Sequence, residues 1–179
     1  MYVKTNWVDD VTPISAANLN KMEEAIYNDG TWVKIAEQTL ASAVAQVDFS
    51  SIPSGYKNFH LIIEAIGDTA FEPLKLIFNN DVGSNYKTGT TLTTYAVIGA
   101  MPTSAESFNF INALISNFNP LQTKRMMSQS VFQSGTSING AVTNFASWLN
   151  TTTEINKISI KTITNLIGIG SRFVLWGCK

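Results

Sequence analysis

The sequence predicts a mainly β protein: an antiparallel β-sandwich of jelly-roll type, preceded by one short N-terminal α-helix. Three observations predict it. Apolar and polar residues alternate with a period of two through most segments after Thr31, turn residues punctuate them roughly every 8–15 residues, and no stretch of helical period intervenes. Composition agrees, because charged residues make up only 14% of the chain, against roughly 25% in ordinary soluble domains. Polarity is carried instead by Thr, Ser and Asn, which suit the pleat and its turns. A chain of 179 residues holds one well-buried core of the common size, about 100–200 residues. The expected organisation is an attachment or oligomerisation segment over 1–30 and a β-sandwich domain over 31–179.

The helix comes first. Pro13 lies just upstream, Ser15 is a good N-cap whose hydroxyl takes an orphan N–H, and "NDG" at 28–30 supplies a stop. Leu19, Met22 and Ile26 recur at spacings of three and four and form one apolar stripe, with Asn20, Lys21, Glu23 and Glu24 elsewhere around the helix. A helix of about three turns is marginal in water alone, so the stripe needs a cover. Two covers are open: the sandwich itself, or the same stripe on sister chains around a symmetry axis.

Strands follow from Thr31. "TWVKIAEQTL" sets Trp32, Lys34 and Ala36 against Val33, Ile35 and Glu37, and "AVAQVDFSSIP" sets Val47 and Phe49 against Gln46 and Asp48. "IPSGYKNF" reads as a turn, "NFHLIIEAIG" as a dense apolar strand, and "PLKLIFNND" as a strand with Leu74, Leu76 and Phe78 on one face. "TLTTYAVIGA", "ESFNFINALI", "KRMMSQSVFQSG" and "AVTNFASWLN" each read as one strand. "INKISIKTI" puts Ile158 and Ile160 inward with Lys157, Ser159 and Lys161 outward, and "SRFVLWGCK" closes the chain. The sum is about nine or ten strands, arranged as in sandwiches and jelly rolls.

Several kinds of chemistry are disfavoured. Net charge is −1 and the cations are scattered, so no footprint for nucleic acid exists. No apolar run approaches the roughly 18 residues that span a bilayer, and "MYVKTNWVDD" lacks the apolar core of a signal peptide; a soluble chain made in the cytoplasm is expected. Cys178 is the only cysteine, which rules out an intrachain disulfide. His60 is the only histidine, and strand geometry places Glu64 two pleats away on its face; a structural histidine is the expected reading. One His and one Cys match no zinc ligand spacing. "GIGSRF" lacks the third glycine of a dinucleotide fingerprint and leads into a strand, so it reads as a turn. "NTT" at 150–152 fits the glycosylation pattern by chance in an Asn- and Thr-rich chain. No catalytic residue, cofactor site or metal site is expected. Tyr86, Tyr95 and Trp148 lie in or beside turn-like stretches and are candidates for stacking on sugar rings, with core packing as the alternative for each.

The two ends of the chain resemble a known family. The pattern W-x-D-x-x-T-P-I-x-A-x-x-L-N-x-M-E-x-x-I, carried here from Trp7 to Ile26, is similar to the N-terminal segment of tail and baseplate proteins of phages that infect Gram-positive bacteria. "DFSSIPSGYKNFHLIIEA" and "GSRFVLWGCK" resemble strands of their β-rich domains, with Trp176 in place of the usual Tyr. Residues 80–150 carry no motif of the family. The resemblance implies a virion structural protein, commonly a homotrimer, whose N-terminal segment joins it to other particle proteins and whose β-domain faces outward. It implies no cofactor and no catalytic motif. A tail fibre or baseplate component attached to host-surface saccharide is the expected role, and capsid decoration without a receptor is the alternative. A glycan depolymerase would need a pair of carboxylates flanking a cleft, and the β-body offers few acids.

Overall fold

The computed structural model describes residues 19–22, 31–67, 72–101, 109–117, 122–134 and 137–179, with one helical turn at 19–22 and the rest strands and connections. Twelve strands run through the described residues: β1 (Trp32–Thr39), β2 (Gln46–Phe49), β3 (Asn58–Ala65), β4 (Glu72–Phe78), β5 (Tyr86–Thr88), β6 (Thr91–Thr93), β7 (Ala96–Met101), β8 (Asn109–Ser116), β9 (Lys124–Ser134), β10 (Ser137–Trp148), β11 (Ile158–Lys161) and β12 (Arg172–Cys178). They form an eight-stranded sheet in the order β1-β12-β3-β8-β9-β10-β5-β6 and a four-stranded sheet in the order β2-β11-β4-β7. Every pairing is antiparallel. Setting aside β1, β12 and the β9–β10 hairpin leaves the orders β2-β11-β4-β7 in one sheet and β3-β8 followed by β5-β6 in the other, and the chain passes back and forth between the two sheets. That is the jelly-roll connectivity, widened at one edge and in the middle of the larger sheet.

Alternation explains the packing. Phe59, Leu61, Ile63 and Ala65 of β3 have no exposure, nor have Phe173 and Leu175 of β12 or Ile111 and Ala113 of β8, which lie beside them in register. Leu74, Leu76, Phe78, Ile98 and Ile160 of the smaller sheet close the core from the other side. Gly177 lies beneath the Tyr56 ring, where a Cβ would stand 2.5 Å from a ring carbon and 2.7 Å from Ile35 Cδ1. Gly177→Ala is therefore expected to lower stability by about 1–3 kcal/mol in urea denaturation through overpacking; an unchanged midpoint would contradict this packing.

Three sequence expectations are corrected. A β-bulge between Lys34 and Ala36 reverses the alternation of β1, so Glu37 does not share the face of Val33 and Ile35 and pairs with Arg172 at the surface. "TLTTYAVIGA" is two strands in different sheets, because bends at Thr94 and Tyr95 carry the chain from β6 across to β7. Ser159 is buried, since β11 is a central strand and Ser159 lies in register between Asp48 and Ile77.

The loop after β11 is tied to the start of β4. The Glu72 carboxylate, 3% exposed, accepts the backbone N–H groups of Ile163, Thr164 and Asn165. Burial alone would raise its pKa, but those N–H donors outweigh burial and hold it below the usual carboxylate range.

Candidate functional site

The aromatic candidates separate in the structure. Tyr86 and Trp148 are core residues, 0% and 1% exposed, and neither offers a ring face to a ligand from solvent. Trp148 packs against Phe78 at 5.4 Å and Tyr86 at 6.5 Å between ring centroids, and its Nε1–H donates to Asp81 Oδ2 at 2.7 Å. Tyr86 Oη accepts the Phe78 N–H at 2.7 Å, which bridges the two sheets, and burial raises its pKa. Asp81 completes the cluster by receiving Gly83 N–H and Asn85 Nδ2 as well; burial raises its pKa, yet the Trp148 and Asn85 hydrogen bonds prevail and lower it. The Phe78–Asp81 turn, with Asn79 and Asn80 at positive φ, folds this carboxylate over the indole. Tyr95 is half-buried, with the Lys75 ammonium 3.9 Å from its ring centre.

His60 is structural in its contacts. Its Nε2–H donates to Asn112 Oδ1 at 2.6 Å and its ring meets Trp32 edge-on at 5.7 Å. Glu64 pairs instead with Arg172, which also holds Glu37 at 2.8 Å. Asn150 Oδ1 accepts the N–H groups of Thr152 and Thr153, closing a turn. "GIGSRF" is the turn that feeds β12, with Gly170 at φ 85°. Among the described residues, no three His, Cys, Asp or Glu side chains converge as metal ligands, and no helix is long and apolar enough to cross a membrane. Of the helix stripe, Leu19 is 47% exposed and Met22 half-buried, while Ile26 lies outside the described residues, as do Glu23 and Glu24.

What brings residues together is the outer face of the larger sheet. The pairing registers align two rows across it. One runs Trp32, Cys178, Asn58, Ser116, Arg125, Ser147 and Lys87; the next runs Lys34, Trp176, His60, Leu114, Met127 and Phe145. Between them lies an open groove of about 390 Å³, lined by Trp32, Asn58, Ser116 and Arg125 of the first row and by Leu114, Met127 and Phe145 of the second. The outer face of an antiparallel sheet is ordinarily polar. Here Trp32, Leu114, Met127 and Phe145 are 41%, 43%, 39% and 62% exposed, a contiguous apolar band of the kind that marks an interaction surface. Neither row contains a carboxylate, and both contain cations. The arrangement can bind an apolar surface that carries negative charge at its edge.

This groove was missed in the sequence. Its only trace there is that β9 and β10 carry apolar residues at both parities, Met126 with Met127 and Phe145 with Ala146, which signals apolar groups on both faces. Comparison with family models, curated proteins and solved structures gave no match to the chain.

Proposed function

We propose that the chain is a structural protein of a bacteriophage particle with a Gram-positive host. It assembles as a homotrimer, joins other virion proteins through residues 1–30, and contributes as a tail fibre or baseplate component to attachment at host-surface saccharide. The uncovered apolar band on the outer face carries this reading, since a chain that works in an assembly leaves such a surface open until its neighbours arrive. The terminal motifs supply the kind of assembly. The role is binding, without cofactor, metal or catalytic step.

Capsid decoration without a receptor is the second reading. Burial of Tyr86 and Trp148 favours it, because two of three candidate sugar platforms are then spent on the core. Sedimentation of the full chain with Gram-positive cell walls, and separately with phage capsids, decides between them. Wall binding that soluble wall saccharide competes away, with polymer length unchanged, is the expected result. Binding to capsids alone favours decoration, shortening of the polymer indicates a depolymerase, and binding to neither overturns both particle readings.

A further inference from the structure

We infer that the groove on the outer face of the larger sheet seats the N-terminal amphipathic helix of a second copy of this chain. The inference rests on the reading of the chain as self-assembling and names the seam. Four observations lead to it.

The groove is apolar where a lone sheet would be polar, and one side of it is a single row, Leu114, Met127 and Phe145, taken from three adjacent strands. Two inter-strand steps make that row about 10 Å long. Leu19 and Ile26 are seven residues apart in the predicted stripe, which at the helical rise of about 1.5 Å per residue would also extend about 10 Å. A helix laid across the strands therefore matches the row in length, with Met22 between its ends.

Charge is complementary. The sequence sets Glu23 and Glu24 beside the predicted stripe, while Arg125 borders the groove and makes no ion pair among the described residues. The path also fits, because residues 1–30 lead into the strand whose first residue, Trp32, is a wall of the groove. The N-terminal segment of each copy thus joins the sheet at the rim of an acceptor.

The choice of a second copy over the chain's own helix follows from exposure. Leu19 is 47% exposed, and neither Leu19 nor Met22 lines the groove. In the same copy Leu19 is left exposed and the groove is open, as an exchanged contact requires.

The test uses the full chain with Cys178→Ser, Met22→Cys and Met127→Cys, oxidised mildly and separated without reductant, beside each single-cysteine control. A ladder of covalent oligomers that needs both cysteines is expected. A disulfide confined to monomers would overturn the inference in favour of the chain's own helix. Oligomers in light scattering that do not cross-link would overturn the seat and leave self-assembly standing; a monomer in light scattering would overturn both. Phe145→Lys, at a 62% exposed site, gives an independent reading. Self-association should weaken by about 10-fold or more, and unchanged association would contradict the seat.

Discussion

Trp148→Ala is expected to destabilise the chain by about 3–5 kcal/mol, the cost of emptying a large aromatic site in a packed core. For a domain of this size that lowers the melting temperature by roughly 10 °C. The indole is 1% exposed and contacts Phe78 and Tyr86, and the Lys124 ammonium lies 5.3 Å from its ring centre. Lys124 itself is 1% exposed, donates to Asn150 O at 2.9 Å, and has its pKa lowered by burial. Removing the ring therefore opens a void beside a buried amine and takes a donor from Asp81. Trp148→Phe separates the two effects: it keeps most of the packing, loses the Nε1–H bond, and should cost about 1–2 kcal/mol. Urea denaturation followed by far-ultraviolet circular dichroism checks both. A loss from Trp148→Ala below about 1 kcal/mol would contradict the core assignment and reopen the residue as a ligand contact.

Glu72→Gln is expected to cost about 2–3 kcal/mol near neutral pH, because the side chain faces three backbone N–H donors and the amide supplies one acceptor and two further donors. The effect carries a pH signature. The folded-state pKa of Glu72 lies below its unfolded value, so its contribution is fully present above the unfolded value and is lost as pH falls through the depressed folded value. The stability gap between the native chain and Glu72→Gln should therefore close as the solution is acidified through that window. A gap that stays constant with pH would show that the loop does not depend on the ionised carboxylate.

How far the sequence reveals these features depends on whether the signal is local. The alternation in "NFHLIIEA" places Phe59, Leu61, Ile63 and Ala65 in the core without knowledge of any partner strand, and the structure buries all four. The face of Glu37 is not legible, because the bulge that reverses β1 is set by pairing with β12 at the other end of the chain. The turn residues around Tyr86 and Trp148 point to ligand contacts; the Phe78–Asp81 turn closes over them instead, and that closure depends on where β5 and β10 pair. The groove is less legible still. Leu114, Met127 and Phe145 become neighbours only through the registers of β8, β9 and β10. A one-residue slip in either pairing would dissolve the row.

Assembly through the N-terminal segment is tested most directly by the solution mass of the full chain and of residues 31–179, measured by light scattering at matched concentrations. All twelve strands of the described residues lie within 31–179, so the shorter chain is expected to retain the sandwich. A trimer that falls to a monomer when residues 1–30 are removed is the expected result. A full-length monomer, or a trimer that survives the truncation unchanged, would contradict it.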